Sequence, residues 1–309
     1  MTRSLIAIVG PTGSGKSDLA RRLAERIGGE VVSADSVQIY RRFDIGSAKP
    51  SLEQRSSVRH HLIDELDPLD MADAARFSEL ADARIADIVA RGKQPVLCGG
   101  TFLWVRALAA GLAPAPTADE GIRARHRALA ERHGRAFLHA QLAPIDPASH
   151  ARLSPNDFVR VSRALEVHEL SGKTLSELHA EHGFRTARHR LELVGIAFER
   201  QELHRRIYAR VVSMFEQGWL EEVRALLADG YGEARAIGAV GYRQVARALR
   251  SGAAIDLPAL TESVAQATRI FVRRQLTWLR DEPVRWLRPE ELDAYCAEHA
   301  RSGSLDGAV

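Results

Sequence analysis

Eight consecutive residues, Gly10-Pro11-Thr12-Gly13-Ser14-Gly15-Lys16-Ser17, have the types and the spacing to hold a phosphate group. They fit the pattern Gly-x-x-x-x-Gly-Lys-Ser/Thr, a P-loop. Its glycines let successive backbone N–H groups turn toward an anion without a Cβ in the way. A helix that opens at the loop adds the positive end of its dipole. Lys16 has the reach for an outer phosphate, and the Ser17 hydroxyl can hold Mg²⁺. A glycine-rich structural turn is the plainer reading, but a loop placed after a strand and before a helix argues against it. The pattern identifies the anion and leaves the reaction open, since kinases and NTPases share it and ATP is its ordinary ligand. Asp35 is the second chemical candidate: it could be a general base, a metal ligand or a simple helix cap.

The surrounding pattern supplies the elements that would position these groups. Residues 5–9 are a short apolar run ending at glycine, the signature of a buried parallel strand. Apolar residues then recur at Leu19, Ala20, Leu23, Ala24 and Ile27, which is helical spacing, and Gly28-Gly29 ends the helix. Residues 31–33 read as the next strand, which puts Asp35 at the carboxyl edge of the sheet, where open α/β sheets bind ligands. Residues 43–68 read as loop with short elements, 74–90 as helix, 94–99 as strand and 102–109 as helix. Ala113-Pro114-Ala115-Pro116-Thr117 is a candidate boundary. Residues 119–171 read as mostly helical, with breaks near Gly134 and at Ala143-Pro144. Strand character returns at 191–198, so the chain is expected to rejoin the first sheet. Helices are expected over 200–217, 220–227, 241–249 and 258–279, a last strand over 284–287, and a frayed tail over 301–309. The expected fold is α/β: a P-loop NTPase-like parallel sheet flanked by helices (residues 1–112 and 191–309), with a helical insertion domain (residues 113–190).

Composition sets the outer limits. The 309 residues are 45% hydrophobic and 27% charged, enough for a sizeable core and unlike a disordered chain. The net charge is +3, with a sequence pI of about 9.1, and arginine carries nearly all of the positive charge. Guanidinium forks suit phosphate oxygens. Two cysteines, Cys98 and Cys296, are too few and too far apart for a disulfide framework or a cysteine zinc site. No apolar stretch reaches membrane-spanning length and no signal peptide opens the chain, so a cytoplasmic enzyme that does not bind membranes is expected. Nothing requires more than a monomer.

Further blocks follow the P-loop in order: Ala34-Asp35-Ser36-Val37-Gln38-Ile39-Tyr40, Ile45-Gly46-Ser47-Ala48-Lys49-Pro50, His60-His61-Leu62-Ile63-Asp64 and Gly99-Gly100-Thr101. Then come Asn156-Asp157-Phe158-Val159-Arg160-Val161-Ser162-Arg163-Ala164-Leu165-Glu166-Val167, Val240-Gly241-Tyr242-Arg243-Gln244 (just after Gly238-Ala239) and Ala267-Thr268-Arg269-Ile270-Phe271-Val272-Arg273-Arg274-Gln275-Leu276-Thr277-Trp278-Leu279-Arg280. In this order the chain resembles the bacterial tRNA dimethylallyltransferase family, also called tRNA isopentenyltransferases, nearly from end to end. The resemblance implies transfer of a dimethylallyl group from dimethylallyl diphosphate to N6 of the adenosine immediately 3′ of the tRNA anticodon, with release of diphosphate. It implies that residues 10–17 with Mg²⁺ hold the diphosphate, that Asp35 takes the N6 proton and that Thr101 stands beside the reacting centre. Thr101 also has the position of a cap on the following helix. Arg206 or Arg210 could add a guanidinium to the diphosphate. The partner is the tRNA anticodon stem-loop, with the target base flipped into a tunnel. Its contacts are implied at residues 35–38, Thr101, Arg123, 159–163, 238–243 and 273–280. In the last block the arginines would hold phosphates, Gln275, Thr277 and Trp278 would read or stack on bases, and Ile270, Phe271, Leu276 and Leu279 would dock the helix.

The chain departs from the family pattern at Phe102-Leu103-Trp104, where Gly-Leu-Tyr is usual, a change that bears on how closely the backbone approaches the substrate near Thr101. Ser47 stands for a more usual threonine. The two lone cysteines exclude the C-terminal zinc finger of eukaryotic members. The competing readings are a P-loop small-molecule kinase with the insertion as its lid, and an RNA-binding protein with a relic P-loop. The first leaves the basic C-terminal helix unexplained. The second leaves Lys16, Ser17, Asp35 and Thr101 without a purpose.

Overall fold

The computed structural model describes residues 5–183 and 188–304. The chain runs β1 (Leu5–Val9), α1 (Lys16–Arg26), β2 (Glu30–Ser33), α2 (Leu52–Ser57), β3 (His60–His61), α3 (Ala74–Ala90), β4 (Pro95–Gly99) and α4 (Phe102–Ala110). Six helices follow: α5 (Glu120–His133), α6 (Arg135–Ala140), α7 (Leu142–Ile145), α8 (Pro147–Arg152), α9 (Phe158–Ser171) and α10 (Leu175–His182). Then come β5 (Leu191–Ile196), α11 (Arg200–Glu216), α12 (Trp219–Ala228), α13 (Tyr242–Arg250), α14 (Leu257–Leu279), β6 (Arg285–Leu287) and α15 (Leu292–Ser304). The chain divides into two compact units: Met1–Ala109 with Arg188–Val309, which holds the sheet, and Ala110–Ala187, which is helical.

The strands pair in the order β3-β2-β4-β1-β5-β6, and each pairing is parallel. The continuous apolar run of β1 is explained by its central place, with β4 on one side and β5 on the other. Its side chains alternate between two cores. Leu5, Ala7 and Val9 join Phe77, Leu97, Ile207 and Val272 from α3, β4, α11 and α14. Ile6 and Ile8 join Leu19 and Leu23 of α1 and Tyr295 and Cys296 of α15 on the other face. Truncating one of these large side chains to alanine typically costs about 2–5 kcal/mol.

The order also fixes where a ligand can sit. The chain leaves β1 toward β2 on one side, passing over the place of β4, whereas it leaves β4 toward β5 on the opposite side. The carboxyl ends of β1 and β4 therefore lie side by side at a point where the connections diverge, which is the crevice open α/β sheets use.

Residues 43–68 hold short elements, α2 and β3, as expected, and the tail is the segment that differs. Within 43–68, β3 is an edge strand of two residues that pairs Val31 with His60 and Val32 with His61. Two residues give no readable alternation, so the strand owes its existence to the open edge of β2. The expected fraying of 301–309 falls partly on residues 305–309, outside the described residues, and α15 continues to Ser304. Among the described residues, no helix is long and apolar enough to cross a membrane.

In the helical unit, Leu138, Leu142, Leu153, Val161 and Leu165 form a separate core. Asp119, Asp146, Asp157 and Thr174 cap its helices with side-chain oxygens.

Candidate active site

The loop after β1 turns through two left-handed glycines, Gly13 at φ 85° and Gly15 at φ 90°, and α1 starts directly at Lys16. Across the rim, Ala34 donates its N–H to the Cys98 carbonyl at 2.7 Å, and Thr101 donates to the Ala34 carbonyl at 3.3 Å. This approach is so close that a Cβ on Gly99 would fall 2.2 Å from the Ala34 oxygen, which explains the glycine that ends β4. One side chain joins the two loops. Gln275 of α14 accepts from the Thr12 N–H through Oε1 at 3.0 Å and donates Nε2–H to the Gly100 carbonyl at 3.0 Å. It is buried at 5% exposure. Its amide is therefore engaged by the protein backbone at both ends.

A cavity of about 370 Å³ opens at this edge, and Lys16, Ser17, Asp35, Thr101, Arg210 and Arg274 all line it. Lys16 curls over its own loop, with Nζ 3.5 Å from the Pro11 carbonyl. Burial pulls its pKa down; Cys98 and Asp35 oppose that shift, and the Arg210 charge adds to it. Arg210 is likewise pulled down by burial and held up by Asp35. Two cations and one carboxylate thus share a field, with a positive excess suited to a phosphorylated ligand. Of the two candidate arginines, Arg210 faces the cavity, whereas Arg206 is exposed and bound to Glu202 at 2.9 Å. Cys98 is buried in the wall, and burial pushes its thiol up to about 11, so it stays neutral.

Asp35 combines two of the roles its sequence position allows. Oδ1 accepts from the N–H groups of Val37 at 2.9 Å and Gln38 at 3.2 Å, the geometry of a cap. Among the described residues, nothing bonds Oδ2, so that oxygen is free to take a proton. Thr101 turns its hydroxyl to Ser36, accepting from the backbone N–H at 3.2 Å and donating to Oγ at 3.4 Å. It does not cap α4 with that side chain. Phe102 and Trp104 point into the core, where Trp104 stacks on Phe77 with ring centroids 4.6 Å apart. The departure from Gly-Leu-Tyr therefore adds core packing and places neither aromatic ring in the cavity lining.

The far wall is held by a carboxylate that sequence reasoning missed. Glu222 of α12 accepts from the N–H groups of Asp44 at 2.9 Å, Ile45 at 2.6 Å and Gly46 at 3.3 Å, and from the Tyr242 hydroxyl at 2.6 Å. The loop it holds supplies the Ser47 and Ala48 carbonyls, each of which accepts from Gln38 Nε2 at 3.1 Å. Trp219 lies beneath this wall: a Cβ on Gly46 or Gly241 would come within 2.0 or 2.4 Å of its ring. In sequence Glu222 looks like any solvated helix charge, since its partners lie up to 178 residues away.

Residues 238–243 line the same cavity; Tyr242 is buried and Arg243 exposed. On α14, the buried face carries Val264, Thr268, Val272, Gln275 and Leu279. Ile270, expected to dock the helix, is 39% exposed, whereas Leu279, named both for docking and within the RNA-contact stretch, is in the core. Both follow from the helical period: 268, 272, 275 and 279 share one face, and 270 lies off it. Arg273, Arg274, Thr277 and Arg280 are exposed, while Leu276 and Trp278 are partly covered. The Arg106 guanidinium sits 5.6 Å from the Trp278 ring centroid.

Within the helical unit, Val159 and Arg160 are exposed, whereas Val161 and Ser162 are buried, so their side chains cannot reach a ligand from outside. Ser162 Oγ is bonded to His126 Nδ1 at 3.0 Å. Arg123 and Arg163 both grip the buried Glu166, at 2.9 Å and 2.6 Å. Burial raises the Glu166 pKa, but hydrogen bonds from Arg163 and Arg123 outweigh it and leave the carboxyl below its ordinary range.

For a metal ion the donor set is informative. Among the described residues, no group of three His, Cys, Asp or Glu side chains could hold one. Ser17 lines the cavity together with Lys16. That fits Mg²⁺ held by one hydroxyl and a substrate's phosphate oxygens, the mode in which this ion keeps several waters.

Residues 38–282 match the IPP transferase family model. The chain is 60% identical over 285 residues to the tRNA dimethylallyltransferase of Sorangium cellulosum, covering 92% of this chain and 90% of that one. It is 47% identical over 293 residues to the tRNA dimethylallyltransferase of Geobacter sulfurreducens, covering 94% of each. Its fold is similar to the crystal structure of the full-length tRNA isopentenylpyrophosphate transferase from Bacillus halodurans, with a TM-score of 0.69, 34% identity and coverage of 97% and 98%. A eukaryotic dimethylallyltransferase solved acting on tRNA shares the fold, with a TM-score of 0.77 at 24% identity, and covers 97% of this chain and 77% of that one.

Proposed function

The chain belongs to the IPP transferase family, and we propose that it acts as a tRNA dimethylallyltransferase whose cavity brings dimethylallyl diphosphate and the adenosine 3′ of the tRNA anticodon together. The observation that carries this reading is the shared lining: the P-loop, Asp35 with Thr101, and Arg210 with Arg274 border one space.

N6 of adenine is a poor nucleophile because its lone pair is delocalised into the ring. It forms a bond to the allylic carbon, and the C–O bond to diphosphate breaks with its electron pair leaving on the diphosphate. The N6 proton passes to Asp35 Oδ2, while Oδ1 keeps the carboxylate oriented through its two backbone N–H bonds. Charge that grows on the leaving group is met by the loop N–H groups, Lys16 and Arg210, which are fixed before the reaction begins. Ser17 and the diphosphate would hold Mg²⁺, which supplies further charge neutralisation when bound. The exposed Arg273, Arg274 and Arg280 support phosphate contacts with the anticodon stem-loop.

The test is direct. Purified protein is incubated with unmodified tRNA and radiolabelled dimethylallyl diphosphate, and in parallel with ATP and small acceptors. Label in the tRNA is expected. ATP turnover without label would instead support a kinase, and RNA binding with neither reaction would leave a relic loop.

A further inference from the structure

A second concave surface lies on the other side of α14 from the reagent cavity. It encloses about 590 Å³ between α11, α14 and β6. Its floor is apolar, formed by Phe198, Leu203, Val272, Leu276, Leu279 and Trp286. Its walls carry Arg200, His204, Arg269, Arg273 and Arg280, with Glu282 as the one carboxylate in the lining. Glu282 is engaged by Arg106 at 3.7 Å, and Arg269 by Glu262 at 2.5 Å. Arg200, Arg273 and Arg280 have no carboxylate partner among the described residues. Their neighbours differ: Arg205 and Arg206, farther along the helix that Arg200 opens, both hold Glu202. Trp286 is pressed against Gly195, where a Cβ would come 2.7 Å from its ring, yet it stays 39% exposed. An aromatic platform fixed on the backbone beside three uncompensated guanidiniums fits a ligand that is both flat and anionic.

We propose that this groove binds an unpaired nucleotide of the RNA substrate, its base against Phe198 and Trp286 and its flanking phosphates on Arg200, Arg273 and Arg280. The proposal rests on the tRNA reading above and extends the contact beyond α14. Adjacent residues explain the continuity: Arg274 lines the reagent cavity and Arg273 the groove. The helix is thus a ridge that an RNA strand crosses, with the reacting base on one side and a second base on the other. Base–aromatic stacking and arginine contacts of this kind tolerate sequence and bind single strands. The groove has no glycine loop to cradle a diphosphate, and its cations are spread around a broad floor, which suits phosphates spaced along a backbone.

The test measures anticodon stem-loop RNA binding against salt concentration for the wild type, Phe198→Ala, Arg200→Ala and Arg280→Ala, alongside the KM for dimethylallyl diphosphate and the melting temperature. Phe198→Ala is expected to weaken RNA binding about tenfold. Each arginine variant is expected to lower the salt slope by about 1. The KM for the diphosphate should not change. Arg200 and Arg280 are exposed, so their variants keep the question answerable if Phe198→Ala fails to fold. Unchanged RNA affinity and salt slope in the folded arginine variants would overturn the proposal, as would a raised KM for the diphosphate with RNA binding intact. A wild type that prenylates RNA while these variants bind it normally sinks the groove alone, whereas a wild type that neither binds nor prenylates RNA sinks the underlying reading as well.

Discussion

At the scale of single residues, one carboxylate oxygen is fixed by the backbone so that the other can work. The two N–H bonds to Asp35 Oδ1 orient the side chain without using Oδ2. Asp35→Asn should keep the cap through its carbonyl oxygen and lose the base. Single-turnover transfer is expected to fall by about 10²–10⁴-fold, with tRNA affinity nearly kept; a wild-type rate in quenched-flow assays would remove Asp35 from the chemistry. Gln275 is the opposite case, a side chain whose whole contribution is to hold other groups. Gln275→Ala leaves the Thr12 N–H and the Gly100 carbonyl without this partner, at a cost of about 1–3 kcal/mol. The KM for dimethylallyl diphosphate should rise while tRNA affinity changes less. A variant whose main defect is in RNA binding would support a base-reading role.

At the scale of elements, α12 acts as a clasp. Its Glu222 gathers three backbone N–H groups of the 44–46 segment and the Tyr242 hydroxyl at the start of α13. Glu222→Ala should destabilise the fold by about 1–3 kcal/mol by leaving those donors unpaired. It should also raise the KM for tRNA, because Gln38 is positioned through the same loop. Glu222→Gln retains one acceptor oxygen and is expected to fall between the two in chemical denaturation; equal stability of all three proteins would show that the loop is held by other contacts. This clasp marks the limit of what the sequence reveals. The P-loop, the strands beside it and the placement of Asp35 and Thr101 are legible because glycine spacing and apolar runs are local signals. Gln275 and Thr268 are polar, so pattern reading puts them on the surface. Each is buried because it finds a partner: Thr268 Oγ donates to the Val264 carbonyl at 2.8 Å, and Gln275 reaches the two loops. Ile270, apolar and expected inside, is left out by the helical period. Arg206 and Arg210 are indistinguishable by type and spacing, and only the packing of α11 decides which one faces the cavity.

At the scale of the whole molecule, the sheet carries an acid-sensitive anchor at the end opposite the site. Glu30 begins β2 almost fully buried and is held by Arg91, by His61 at 2.6 Å and by Lys93 at 2.9 Å. The Arg91 hydrogen bond, with help from His61 and Lys93 and against the penalty of burial, holds this carboxyl far below its ordinary range. A folded pKa depressed below the unfolded value of about 4.3 stabilises the fold fully above that value, and the stabilisation is lost as pH falls toward the folded pKa. Glu30→Gln should therefore be less stable than the wild type at neutral pH, with the gap narrowing below about pH 4. Urea midpoints between pH 3 and 7 check this, and a gap that does not vary with pH would show that burial alone sets the effect.

The bridge from Thr12 to Gln275 spans 263 positions of the chain. A ribosome makes the phosphate loop long before one of the two strands that flank β1: β5 emerges some 180 residues later, by the pairing of Leu5 with Leu191, and the glutamine that sets the loop's shape comes later still. Until Gln275 is made the loop is a motif without its working geometry. Such long-range closure is slow and comes late in folding. A chain cut short before α14 would keep the whole phosphate-binding signature and lack the means to use it, so the reagent site is complete only once α14 has been made.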